Sequence, residues 1–159
     1  MNAIKKLNLE ESIFSLKEKD IPFLGICLGM QLLLTESEEF GKTKGLDLIP
    51  GKVKSITNIK NYKNNIKIPH IGWNSILKNE RNKKLKSNLF KAINNQSSYY
   101  FVHSFTSIPD NLDHQVYETI YEGLTLSAII NKNNIYGFQF HPEKSGTPGL
   151  NLLKSFLKI

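Results

Sequence analysis

Cys27, His141 and Glu143 have the side-chain types and the setting for nucleophilic catalysis in this 159-residue sequence. Cys27, the sole thiol, stands in FLGICLGMQLL, between two apolar runs and two glycines. A nucleophile in a Gly-x-Nuc-x-Gly frame between a strand and a helix is the elbow arrangement. The tight turn holds the sulfur clear of the sheet and is expected to leave little room for side chains at Gly25 and Gly29. The N-terminus of a helix beginning at Leu28 would favour thiolate over thiol. The Leu28 backbone N–H would point to where an oxyanion forms. The competing reading is a buried cysteine acting as a small apolar side chain.

A thiol nucleophile needs a base, and the base needs an orienting group. Four histidines are available. His114 lies in the polar turn DNLDHQV and reads as exposed. His70 and His103 lie in apolar strands, where a hydrogen-bonded structural histidine is the commoner outcome. His141 follows the strand YGFQF where Pro142 ends it, with Glu143 two residues on. At the mouth of a sheet, that spacing lets a carboxylate hold one ring nitrogen while the other faces the sulfur. Active groups of open α/β sheets gather at the carboxyl ends of strands, and both Cys27 and His141 are at such ends.

The elements that must position these groups follow from periodicity and breakers. Residues 2–19 carry Ile4, Leu7, Ile13, Phe14 and Leu16 at roughly helical spacing, which predicts a surface helix broken at Asp20-Ile21-Pro22. PFLGIC has strand length, and LGMQLLLTESEE reads as a helix. Gly41 and Gly45 mark a loop, and a Pro-Gly turn precedes the alternating strand KVKSIT. NIKNYKNN (58–65) reads as a hairpin tip or mobile loop, and IKIPHIGWNSIL as β-rich but interrupted by Pro69 and Gly72. A lysine-rich linker (78–86), a short helical piece near Leu89-Phe90 and the strand SSYYFVHSF come next. VYETIYEGLTLSAIINKNNIYGFQF predicts successive strands with turns at Glu122-Gly123 and Asn133-Asn134. GLNLLKSFLKI closes the chain as an amphipathic helix, with Leu150, Leu152, Leu153, Phe156 and Leu157 as its buried stripe. Strands alternating with helices at both ends argue an α/β fold.

Composition narrows the classes. Forty per cent apolar and ten per cent aromatic residues exclude a disordered chain. No stretch has the 18 or more apolar residues of a membrane span, and residues 1–14 lack the apolar core of a signal peptide. One cysteine forms no internal disulfide, so a cytoplasmic setting is expected. The net charge is +7, and between Asp47 and Asp110 eleven Lys or Arg stand against one acid, Glu80. Such a basic middle could touch nucleic acid or a phosphorylated substrate. With Arg81 as its only arginine and no nucleic-acid-binding motif, it reads as a solvated lysine face.

GICLGMQ together with GFQFHPEKS resembles the class I glutamine amidotransferases, whose glutaminase uses a Cys–His–Glu triad. IPHIGWN (68–74) and YYFVHSF (99–105) are similar to the HisH-type glutaminase subunits of imidazole glycerol phosphate synthase, and the likeness extends over essentially the whole chain. The resemblance implies a flavodoxin-like, three-layer α/β fold with a mixed central sheet. It also implies Cys27 as nucleophile, His141 as general base and acid, and Glu143 as its orienter. Gln31, one helical turn after Cys27, would contact bound glutamine. Glu39, at the end of that helix, would reach the substrate's α-amino group, and the backbone around Ser104 and Phe105 would hold its carboxylate. Trp73, Asn74, Tyr100 and Lys144 would lie near a cyclase (HisF-type) subunit in a heterodimer; for Trp73 and Tyr100 ordinary packing is the competing reading. Ammonia would pass to a ribulosyl-phosphate intermediate, yielding imidazole glycerol phosphate and AICAR. No cofactor, metal, nucleic acid or membrane is expected.

The resemblance further implies a single domain, residues 1–159, incomplete at its N-terminus. Roughly 40 residues, a βαβ-sized unit plus a P-G-x-G oxyanion loop, would precede Met1. Loss of one oxyanion donor costs of the order of 100- to 1,000-fold in rate, so this chain alone is expected to be a poor glutaminase. The alternatives are a glutaminase component of another class I enzyme (anthranilate or aminodeoxychorismate synthase), an inactive partner subunit, and a phosphate- or nucleic-acid-binding module.

Overall fold

The structure is a computed structural model and describes residues 1–81, 88–94 and 96–159. The expected N-terminal helix is two: α1 (Asn2–Lys6) and α2 (Leu9–Glu18), separated by Asn8 at φ 53°. Asparagine tolerates that left-handed conformation, which ends one helix and re-aims the next. Met1, Ile4 and Ile13 pack inward, whereas Leu7 and Phe14 of the expected stripe are exposed.

β1 (Phe23–Ile26) leads through Cys27 into α3 (Leu28–Leu32). The helix expected through Glu39 stops after one turn, because residues 45–49 fold back on its end. The Leu46 N–H donates to the Leu32 carbonyl, those of Leu48 and Ile49 to Leu33, and that of Asp47 to Leu34. These carbonyls are thereby satisfied without a further helical turn. β2 (Glu36–Ser37), β3 (Thr43–Lys44) and β4 (Gly51–Ser55) follow. Residues 58–65 form neither hairpin strand; they are turns from which Ile59 and Tyr62 pack on Ile56, Ile66, Leu124 and Leu126.

The remaining elements are β5 (His70–Ser75), β6 (Leu77–Lys78), β7 (Ser98–His103), β8 (Phe105–Pro109), β9 (Gln115–Tyr121), β10 (Leu124–Lys132), β11 (Ile135–Phe138) and α4 (Gly146–Phe156). A 3-10 turn (Asn88–Ala92) stands at the expected helical piece. The lysine-rich linker begins in β6, and its residues 82–86 lie outside the described residues. Glu122 and Gly123 (φ 49° and 81°) make the β9–β10 turn, and Asn133 (φ 54°) makes the next.

Among the described residues the strands form three sheets, ordered β1-β11-β10-β9-β6, β3-β2-β4-β8 and β5-β7. In the first, β1 runs parallel to β11 and the other pairs are antiparallel. Alternation splits its side chains between two layers. Ile129, Tyr136 and Phe138 join Tyr99, Phe101, Phe140 and Leu152 of α4 on one face. Ile130 and Ile135 join Met30, Leu33 and Leu34 on the other. The mixed central sheet between helices is the expected α/β architecture. Within α4 the expected stripe is narrower: Leu152 is buried, but Leu150 and Leu157 are exposed.

Candidate active site

The parallel register of β1 and β11 builds the site. Gly25 lies opposite Gly137 and Ile26 opposite Phe138, and the Cys27 N–H donates to the Phe138 carbonyl at 2.7 Å. Cys27 and the residues after β11 therefore emerge side by side at the carboxyl ends of two adjacent strands. α3 turns back closely over β1: a Cβ at Gly25 would lie 2.5 Å from the Gly29 carbonyl oxygen. Gly29 itself has open space where its Cβ would be, so the expectation of crowding holds at Gly25 and fails at Gly29. Cys27 has φ 51° and ψ −105°, a conformation costing a non-glycine residue about 1–3 kcal/mol. Such strain clusters where a surrounding structure fixes a functional side chain.

The sulfur is half-buried. Its S–H faces the Val102 carbonyl at 3.8 Å, and Gln139 Nε2 donates toward it at 3.8 Å. Burial pushes the Cys27 thiol above its usual value. The Leu28 N–H and the Gln139 amide pull in the opposite direction, while the charges of Glu143 and Glu39 reinforce the rise. The helix start does pull toward thiolate, as expected, but α3 is one turn long and desolvation outweighs its Leu28 N–H. The Leu28 N–H is directed at the sulfur itself.

Gln139 is the group the sequence reading missed. It is fully buried, and its orientation is fixed from the far end of a short chain of amides. The Phe105 carbonyl can only accept, so Gln31 must present Nε2 to it (3.2 Å). The same nitrogen donates to Gln139 Oε1 (3.3 Å), which turns Gln139 Nε2 toward the sulfur. Its place within GFQFHPE, two residues before His141, was the available signal. Both Gln31 amide hydrogens are committed, so its Oε1 is the atom left for a ligand.

An open cleft of about 750 Å³ runs over Cys27, Leu28, Gln31, Glu39, His103, Ser104 and Phe105, with Met1–Ala3 at one wall. Glu39 reaches it from a turn after β2, not from the end of a helix as expected. The Ser104 carbonyl accepts from Ile56 N–H (2.9 Å), and that of Phe105 from Gln31 and His103.

His141 Nδ1 lies 2.7 Å from Glu143 Oε1. This spacing places the carboxylate on Nδ1, and among the described residues no hydrogen bond engages Nε2. The His141 N–H donates to the Tyr100 carbonyl (2.9 Å), and Ser145 Oγ donates to the His141 carbonyl (2.6 Å), so the loop is anchored at both ends of the residue. Among the described residues no hydrogen bond joins the imidazole to the sulfur, and neither His141 nor Glu143 lines the cleft.

Trp73 and Tyr100 are register partners on the outward face of β5–β7, their rings in edge contact at 5.9 Å, with Trp73 56 % exposed. Lys144 is exposed in the turn after His141. Asn74 is half-buried, and its side chain bonds to His70 and to the Ile120 carbonyl. His70 and His103 are buried and hydrogen-bonded, as expected. His114, expected to be exposed, is half-buried with Nδ1 shielded from solvent. Lys52 of the basic middle pairs with Glu36 at 3.0 Å.

A mixed sheet with a strained cysteine elbow beside a histidine–carboxylate pair defines a class, and comparison identifies it. Residues 5–159 match the family model described as glutamine amidotransferase class-I, and the chain belongs to that family. It is 44% identical over 159 residues to imidazole glycerol phosphate synthase subunit HisH 1 of Legionella pneumophila (strain Paris), covering all of this chain and 75% of that protein. To the HisH subunits of Chlorobaculum tepidum and Methanocaldococcus jannaschii it is 43% identical, over 159 and 152 residues. Those matches cover 100% and 95% of this chain and 74% and 70% of the relatives. A glutamine amidotransferase from Thermotoga maritima shares the fold with TM-score 0.56 at 21% identity, covering 95% of this chain and 53% of that one. A second solved glutamine amidotransferase aligns with TM-score 0.60 at 13% identity, covering 98% and 69%. The chain thus spans about three quarters of its curated relatives' length and about half of the Thermotoga structure's. Among the described residues, no helix is long and apolar enough to cross a membrane.

Proposed function

We propose that this chain is the glutaminase subunit of an imidazole glycerol phosphate synthase, hydrolysing glutamine to glutamate and supplying ammonia to a cyclase subunit in histidine biosynthesis. Relatives bearing that subunit name at 38–44% identity across the whole chain support the reading. The single structural observation that carries it is the strained Cys27 elbow held beside the β11 end that bears His141 and Glu143.

Cys27 attacks the side-chain amide carbon of glutamine, its proton passing to His141. The oxyanion faces the Leu28 N–H. His141 returns the proton to the departing ammonia, and a water, deprotonated by the same imidazole, hydrolyses the thioester to glutamate. Glu143 holds Nδ1 so that Nε2 works on the proton. Gln31 Oε1 and Glu39 receive the substrate's donors, and the backbone at Ser104 and Phe105 holds its carboxylate. Trp73, Tyr100 and Lys144 form the outward surface for the cyclase in a cytoplasmic heterodimer. Asn74, half-buried on the same strand as Trp73, lies near that contact. We read residues 1–159 as one amidotransferase domain.

The test is glutamate release from glutamine by this chain mixed with a cyclase subunit. Activity that requires the cyclase and vanishes in Cys27→Ser is the expected result; activity retained in Cys27→Ser overturns the reading.

A further inference from the structure

Four contacts run in one line through the interior. His103 Nδ1 lies 2.7 Å from the Phe105 carbonyl, and His103 Nε2 lies 2.9 Å from His70 Nδ1. His70 Nε2 lies 3.2 Å from Asn74 Oδ1, and Asn74 Nδ2 donates to the Ile120 carbonyl at 2.9 Å. Both ends of this line are backbone carbonyls, which only accept. Neither ring can be flipped without replacing a nitrogen contact by a carbon. Turning the Asn74 amide would set Oδ1 against the Ile120 oxygen at 2.9 Å. Making every link therefore needs three protons on the two imidazoles, and two neutral imidazoles hold two.

We propose that His70 and His103 are positioning residues for the thiol site, a neutral pair protonated on both Nδ1 atoms that clamps the Phe105 carbonyl and leaves its one missing proton at Asn74.

Distance orders the alternatives. The link to Phe105 is the shortest and that to Asn74 the longest, so the lone pair without a proton sits on His70 Nε2. The opposite arrangement would press the His103 Nδ1 lone pair against a carbonyl at 2.7 Å in a site 6% exposed. At the Asn74 end the defect is nearest solvent. Burial between Phe101 and Tyr121, whose rings stack on His70 at 4.8 and 4.1 Å, disfavours a third proton. The charges of His70 and His141 oppose a further proton on His103 as well, leaving the Phe105 carbonyl as the one partner favouring charge there. The clamp matters because Phe105 also accepts from Gln31, which orients Gln139 and through it the sulfur. The pair thus holds in place the carbonyl from which the Gln31–Gln139 chain takes its orientation toward Cys27.

The experiment records imidazole nitrogen NMR spectra of the full chain at pH 7.5 and pairs them with two substitutions. The expected spectrum shows both rings neutral with protons on Nδ1; a proton on His70 Nε2, or a charged ring, overturns the proposal. Asn74→Asp places a carboxylate at the defect and is expected to draw the third proton onto His70; an unchanged neutral His70 counts against the proposal. An asparagine amide nitrogen superposes on Nδ1 and a glutamine amide nitrogen on Nε2. In glutaminase assays, which rest on the function proposed above, His103→Asn is expected to keep KM for glutamine within about twofold, while His103→Gln raises it several-fold. Equal effects of the two overturn the positioning role. Loss of all activity in the parent chain would contradict the glutaminase reading alone, since the spectra decide proton placement without it.

Discussion

Gln139 Nε2 points at Cys27 Sγ from 3.8 Å, held there by Gln31, whose own amide is locked by the Phe105 carbonyl. The sulfur thus has a side-chain donor as well as the Leu28 N–H, and the two work against the burial that keeps the thiol protonated. Removing the donor leaves desolvation less opposed. Gln139→Leu is expected to slow alkylation of Cys27 at pH 8 by up to about threefold, corresponding to about half a pH unit in thiol ionisation. Its rate–pH curve should move to higher pH without loss of fold. A curve that does not move means the amide is packing, not tuning.

The crowding of α3 on β1 makes a second prediction. Gly25→Ala drives a methyl into the Gly29–Met30 backbone, which cannot withdraw as a flexible side chain could. It should cost about 2–3 kcal/mol of stability in urea unfolding. Gly29→Ala meets open space and gains helix propensity, so it should be neutral or stabilising by about 0.5 kcal/mol. Equal losses at both positions would contradict the close approach at Gly25.

The buried histidines fix the acid side of the stability curve. Burial holds His103 down at about 3 against its usual 6.5, and His70 is lowered too. Between those values the unfolded chain binds more protons than the folded one, so stability is full above pH 6.5 and falls as the pH drops below it. The slope attributable to His103 is about 1.4 kcal/mol per pH unit. Urea midpoints at pH 7.5 and 5.0 should separate clearly in the parent chain and less in His103→Asn.

Much of this arrangement was legible from residue order. The elbow, β1, the turns at Glu122-Gly123 and Asn133-Asn134 and the His141–Glu143 pair all announce themselves by local chemistry: glycine spacing, left-handed turn residues, a proline ending a strand. The features that were not legible depend on partners distant in sequence. α3 stops early because residues 45–49 take its carbonyls, which no periodicity in LGMQLLLTESEE encodes. Gln139 becomes a donor to sulfur only because Gln31, 108 positions away, fixes its amide. Asn74 turns inward because His70 and Ile120 are waiting there.

The exposed Glu143 offers a clean separation of catalysis from folding. Its contact with His141 is solvent-facing, so Glu143→Gln should leave unfolding midpoints within about 0.5 kcal/mol. The proposed orienting role predicts a loss of glutaminase rate by about 10²- to 10⁴-fold, since the imidazole is no longer held in one tautomer. Loss of rate and stability together would assign the residue to the scaffold.

Whether the Cys27 sulfur is a nucleophile for glutamine is decided by covalent trapping. The chain, mixed with a cyclase subunit, is treated with an electrophilic glutamine analogue, and the adduct is located by peptide mass spectrometry. One adduct per chain is expected, on Cys27, absent in Cys27→Ser and suppressed by excess glutamine. No adduct at Cys27, or labelling that glutamine does not compete with, would contradict that nucleophilic role.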